Sequence, residues 1–288
     1  MKVGLLKYLP VTLVTIIWGI SFIATKVVVS SFPPYPAAFY RFVIALLVLL
    51  PLSKNKSVLR DLNAFWAGFW GVTMYFVFEN MALIYTRPTN AAIIVSSAPI
   101  LYVIFTHLIR KQQTTLNQYL GSLLAFTGVA LVILNGRLMK LNPLGDILAF
   151  GSAMAWVFYT HYILKMPKHD GIDEVFAITF WGAVTLIPFS MLQDPMFSSI
   201  IKLTPPALIG LLYLGILCSA LGYLLWNKSI TLIGDRRTTN AIYFIPVVTV
   251  LSEKILLRTP LTLYTVTGTV LLIAGLFTFE KGNIKRQK

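Results

Sequence analysis

Two glutamates stand in apolar surroundings where a charge needs a reason. Glu79 follows Tyr75 and Phe76 by about one helical turn and is followed directly by Asn80, while Glu253 shares a helical face with Thr249 and Pro246. A carboxylate flanked by aromatic rings can hold an amine or ammonium group, because ring faces attract cations. A buried carboxylate can also take up and release a proton, so both glutamates are ion-coupling candidates. Hydrogen-bond formers occur in the same apolar sequence: Asn90 and Ser97 in one run, Asn240 in another. Aromatic residues lying deep or beside polar ones could wall a cavity, and Trp18, Tyr75, Tyr102, Trp156, Tyr159 and Tyr243 are the candidates. The substrate-binding set expected from the sequence is Trp18, Tyr75, Glu79, Asn80, Asn90, Ser97, Trp156, Asn240 and Tyr243. Pro99 and Pro246 fall mid-run, where each frees the carbonyl one turn back and can serve as a hinge. Lys26, Arg41 and Lys254 read instead as ion-paired or snorkelling side chains near an interface. His107 and His161 read as interfacial hydrogen-bonding groups.

The elements that must position these residues are long and greasy. Of 288 residues, 57% are hydrophobic and 12% charged, where a soluble domain carries about 25% charged residues. Ten runs approach the ~20 apolar residues needed to cross a bilayer: 8–29, 35–52, 62–83, 88–109, 116–134, 143–164, 173–191, 205–227, 237–257 and 261–280. The expected class is therefore an all-α membrane protein with ten transmembrane helices, multi-pass in the cytoplasmic membrane. The first run is longer than the 7–15 residues of a signal-peptide core and is expected to be retained. The short connections leave no room for a soluble catalytic domain. Phosphate-loop, HExxH and GxSxG motifs are missing, as is the potassium-channel filter sequence. The lone Cys218 excludes a disulfide framework and a cysteine-rich metal site. No enzyme activity, cofactor or metal is expected.

The net charge of +14 would suggest nucleic acid in a soluble chain. With the N-terminus inside, however, 16 of the 24 Lys and Arg fall in inner connections and termini. Five fall outside (Arg87, Arg137, Lys140, Lys202, Arg258), and three lie within runs. That bias orients a membrane protein with both termini cytoplasmic. Nucleic acid is excluded as a partner; a small-molecule substrate and the lipid bilayer are expected.

The halves repeat. A shift of 147 brings Gly68 onto Gly215, Asn80 onto Asn227, Pro99 onto Pro246, Gly121 onto Gly268 and Gly128 onto Gly275. Earlier in each half the shift is about 138, pairing Trp18 with Trp156. Two five-span repeats are expected, 1–137 and 138–288, and an odd span number inverts the second relative to the first. Inverted repeats mark many secondary transporters, with the site near the midplane between them. The glycine faces of spans 5 and 10 allow close helix approach, either within one chain or as a homodimer contact.

Ten spans in two inverted fives, with Trp18-Gly19-Ile20-Ser21-Phe22-Ile23-Ala24-Thr25-Lys26 in span 1, resemble the EamA-type branch of the drug/metabolite transporter superfamily. Glu79 to Thr86 followed by a span centred on Pro99 is similar to that family's third and fourth helices. Asn142 to Asp146 with Ala155-Trp156 resembles the start of its second repeat, and Tyr243 to Pro246 followed by Leu256 to Thr262 is similar to its ninth-to-tenth helix passage. The chain departs from the family where Arg258-Thr259-Pro260 stands in place of a glutamate often found before the last helix. The resemblance implies a central cavity opening alternately to each side. It also implies a small-metabolite carrier, without fixing the direction of transport. Export of an amino acid or derivative is the first expectation; uptake of an organic cation such as a quaternary amine, with Glu79 or Glu253 as counter-charge and aromatics as a cage, is the alternative. A non-transporting membrane subunit is the remote third reading.

Overall fold

A computed structural model describes residues 6–29, 31–86, 88–136, 142–167, 171–195, 203–257 and 262–287, without the side chains of Phe22, Lys26, Leu83, 88–90, Val250, 253–257 and 283–287. In lipid every backbone N–H and C=O must be satisfied internally, which leaves the helix as the form open to such apolar runs. The described residues are accordingly helical, with no strand among them, and join into ten rods. These are α1 (Leu9–Val29), α2 (Pro34–Leu49), α3 (62–85), α4 (88–108), α5 (Leu116–Leu134), α6 (Pro143–Ile163), α7 (Gly171–Gln193), α8 (Pro205–Ile233), α9 (235–257) and α10 (Leu263–Gln287). Six of them, α1, α4, α5, α7, α8 and α10, contain a stretch long and apolar enough to cross a membrane, and α2 is apolar but shorter.

Proline opens several helices where its missing N–H costs nothing: Pro34, Pro143 and Pro205 all lie in first turns. Asn142 caps α6 by accepting a hydrogen bond from the Gly145 amide at 3.2 Å. Asn135 ends α5 in the left-handed region, and Gly136 follows with φ of 82°.

Four rods are internally irregular. α3 and α8 each contain a π-helical stretch, at Phe69–Met74 and Tyr213–Leu221. α4 breaks between Val95 and Ala98, just before Pro99. α9 passes through a 3₁₀ turn at Ala241–Tyr243 and resumes at Phe244, just before Pro246. Both prolines therefore interrupt their helices on the N-terminal side, as expected of residues that cannot donate to the preceding turn.

Glycines set the closest approaches. α5 and α10 run antiparallel in contact: a Cβ on Gly121 would lie 2.6 Å from the Gly275 carbonyl, and one on Gly128 would lie 2.5 Å from that of Gly268. The small faces of these two helices are thus used within one chain, so a homodimer would need their other faces. Gly68 of α3 packs on Ile178 and Gly182 of α7, while Gly215 of α8 packs on Arg41 and Ile44 of α2. Each contact in these two pairs reappears with the halves exchanged. Gly19 of α1 lies against α9, whose Thr249 Oγ1 donates to the Gly19 carbonyl at 2.8 Å.

Candidate functional site

Rings from both halves meet at the centre. The Trp18 ring of α1 lies 5.5 Å from Trp156 of α6, and 5.2 and 6.0 Å from Trp226 and Tyr223 of α8. Trp156 also meets Tyr75 of α3 at 5.5 Å and Tyr159 at 4.9 Å. Two backbone features lock the cluster. Trp18 Nε1 donates to the Cys218 carbonyl at 2.9 Å, and Tyr223 Oη donates to the Gly71 carbonyl at 2.9 Å. Both acceptors lie in the π-helical stretches, where the altered hydrogen-bond pattern frees backbone groups and often marks a functional site.

Two opposite charges sit at this cluster without touching. Glu79 is part-buried and accepts a hydrogen bond from Tyr75 Oη at 3.3 Å. Arg41, mid-way along α2 and 8% exposed, donates from Nε to Ser219 Oγ at 2.6 Å. Its guanidinium carbon lies 4.8 Å from the Phe76 ring centroid and 5.5 Å from that of Phe42. The ion pairs among the described residues are Arg110–Asp235 and Arg237–Glu280; neither Arg41 nor Glu79 joins one. The expectation that Arg41 snorkels to an interface or forms an ion pair is corrected. The register of α2 turns it inward, where a hydroxyl and two ring faces take it up.

The other expected site residues divide. Trp18, Tyr75, Glu79 and Trp156 come together, joined by Tyr159, whose Oη donates to Asn227 Oδ1 at 3.2 Å. Asn80 donates to the Pro34 carbonyl at 3.2 Å, a link from α3 to the start of α2. Ser97 Oγ bonds back to the Ile94 carbonyl at 2.6 Å, inside the α4 break. Asn240 is 6% exposed, with its side-chain oxygen unpartnered. Tyr243 does not join the rings: its hydroxyl donates to the Ser122 carbonyl at 3.1 Å, in a separate core with Val129 and Leu272. The side chains of Asn90, Glu253, Lys26 and Lys254 lie outside the described residues.

Arg41, Ser219, Tyr223 and Trp226 are absent from the expected set. The repeat carries a signal for two of them, since a shift of 147 places Phe76 on Tyr223 and Glu79 on Trp226.

A second polar cluster joins the C-terminal end of α4 to the start of α9. Asp235 accepts from Tyr102 Oη at 2.6 Å and from Arg110 Nη1 at 2.8 Å. Arg236, 5% exposed, donates to Thr106 at 2.7 Å, Thr114 at 2.9 Å and Gln118 at 3.3 Å. Tyr102, expected to wall a cavity, belongs here. At the same end Asp173 accepts from Ser53 and the Lys54 amide, both at 2.8 Å, fastening α7 to the α2–α3 connection.

Apolar helices of this length, packed through glycines around a ring-lined centre, define a multi-pass membrane protein. The chain belongs to the EamA-like transporter family, whose sequence model matches it twice, over residues 5–134 and 143–279. It is 31% identical over 279 residues to the uncharacterized transporter YyaM of Bacillus subtilis, covering 92% of this chain and 90% of that one. An uncharacterized transporter of Archaeoglobus fulgidus is 30% identical over 276 residues, covering 94% and 97%. A probable amino-acid metabolite efflux pump of Salmonella typhimurium is 26% identical over 288 residues, covering 92% and 91%. A solved crystal structure superposes with a TM-score of 0.77 at 18% identity, covering 95% of this chain and 96% of the other, and shows the same fold.

Proposed function

We propose that this protein is a secondary carrier that exports an amino acid or a related small metabolite by alternating access. The observation that carries this reading is the central ring cluster, drawn from both halves, with Glu79 at its edge. The amine of the substrate sits against Glu79, within the ring walls, and Trp18 and Trp156 face each other across the repeat. The name carried by the Salmonella typhimurium relative supports the substrate class and the direction.

In this reading all ten rods cross the bilayer and the halves 1–137 and 138–288 are inverted repeats. The exchanged contacts of Gly121–Gly275 with Gly128–Gly268 support a two-fold relation between them. The basic bias of the connections places the termini in the cytoplasm, so the Asp235 and Arg236 cluster closes the cytoplasmic side. The breaks before Pro99 and Pro246 are the hinges on which that closure opens.

Flux of amino acids through proteoliposomes, compared between the wild type and Glu79→Gln, tests the reading. Tyr75 is a titratable group in contact with Glu79, and Arg41 is a cation at the same ring cluster. We expect Glu79→Gln to weaken substrate affinity about ten-fold, the scale of one charged contact of about 1.4 kcal/mol, and to flatten the dependence of flux on pH. Unchanged affinity together with an unchanged pH profile removes Glu79 from the site.

A further inference from the structure

Groups left without partners at the centre share one chemical sense. Trp156 Nε1, Trp226 Nε1 and Asn227 Nδ2 are buried side-chain atoms with no hydrogen-bond partner, and all three are N–H donors. The residues that carry them are 7%, 0% and 5% exposed. Trp156 and Trp226 touch at 5.4 Å, and Asn227 holds Tyr159 of the same cluster. Arg41 adds a cation that rests on the Phe42 and Phe76 rings and hydrogen-bonds only from Nε, to Ser219, so its remaining N–H groups have no hydrogen-bond acceptor among the described residues. Buried donors are ordinarily paired, and leaving one unpaired costs free energy. A centre with surplus donors, a buried guanidinium and, among the described residues, one acidic side chain is built for a ligand rich in acceptors.

We infer that the carrier recognises its substrate through a carboxylate, received by Arg41 and the unpaired N–H donors of the ring cluster. This rests on the proposed carrier reading and adds a second pole to it. Arg41, over the Phe76 ring, and Glu79, on the Tyr75 hydroxyl, bring one charge of each sign to the same ring cluster without neutralising each other by contact. A substrate with a carboxylate at one end and an ammonium at the other matches both. A permanent organic cation matches Glu79 but brings its charge towards Arg41. A dianionic phosphate exceeds the single cation at the cluster among the described residues. The planar guanidinium fork suits a two-oxygen acceptor, and lysine would not reproduce it.

The test uses matched ligand pairs that differ in the carboxylate: glycine betaine against choline, L-phenylalanine against phenethylamine, L-leucine against isoamylamine. Thermal stabilisation of the purified full-length protein reads binding, because a ligand of the native state raises its melting temperature. Counterflow in proteoliposomes reads transport. We expect the carboxylate of at least one pair to stabilise the wild type, its partner to fail, and Arg41→Gln to weaken that binding at least ten-fold, with Arg41→Lys intermediate. Choline or the amines stabilising as well as their carboxylates overturns the inference. So does a failure of every carboxylate to stabilise the wild type, a result that needs no variant to fold. An Arg41→Gln protein that melts like the wild type and keeps its affinity overturns it too. Stabilisation by carboxylates without counterflow keeps the carboxylate site and removes the carrier reading; counterflow of amines or choline in preference does the reverse.

Discussion

A guanidinium held in apolar surroundings gives up much of its hydration, and in this chain Arg41 recovers part of it from one hydroxyl and two ring faces. Its position in sequence conceals this, because the acceptor, Ser219, lies 178 residues away. Glu79 shows the opposite case. Its hydroxyl partner is Tyr75, four residues back on the same helix, and that spacing is readable from sequence. The glycines lie between these extremes: their period showed a small face, while the partner helix came from the fold. Gly128 makes a residue-scale prediction. A Cβ there would lie 2.5 Å from the Gly268 carbonyl and from the Leu272 amide, both backbone atoms that cannot move aside cheaply. Gly128→Val should therefore destabilise the protein by about 2–3 kcal/mol through overpacking. The check is a melting temperature lowered by several degrees in detergent, with Thr127→Val, exposed on the same helix, as the control.

The informative elements are those that depart from a regular helix. Pro99 and Pro246 announced the breaks in α4 and α9, because a missing N–H is a local property of one residue. The π-helical stretches in α3 and α8 carried no such sign. They arise where packing against other helices favours an extra residue in a turn, which no single side chain encodes. For the same reason Tyr102 and Tyr243 were expected beside the site and instead tie α4 and α5 to α9. The α4–α9 cluster makes the element-scale prediction. Asp235 is acceptor to both Tyr102 and Arg110, so Asp235→Asn removes the charge that holds them together. A loss of about 1.4 kcal/mol shifts a two-state equilibrium ten-fold, and this variant should populate the opened end by roughly that factor. Distances between spin labels at Gln113 and Leu232, both exposed positions flanking the cluster, should broaden towards longer values. An unchanged distribution would separate the cluster from the closure.

At the scale of the whole molecule, one family model matches the chain over residues 5–134 and again over 143–279, and five identities in one register mark a repeat in the sequence. Ten apolar runs became ten helical rods, six of them long and apolar enough to span a bilayer. Which side each end faces is argued from charge alone, and it makes the prediction for this scale. A membrane-impermeant maleimide applied to intact cells should label Thr204→Cys, in the α7–α8 connection, and spare Lys56→Cys, in the α2–α3 connection. The single native cysteine, Cys218, is fully buried and leaves a quiet background. The reverse pattern would turn the protein over in the membrane.

The six tryptophans lend the molecule an optical property. Trp18, Trp156 and Trp226 form a mutually touching trio at the junction of the halves, whereas Trp66, Trp70 and Trp181 lie in the aromatic zone of α3 and α7. Indoles this close couple their excited states. Any motion that parts α1, α6 and α8 will separate three chromophores at once, so the near-ultraviolet circular dichroism of the unlabelled protein reports directly on how its two halves stand to each other.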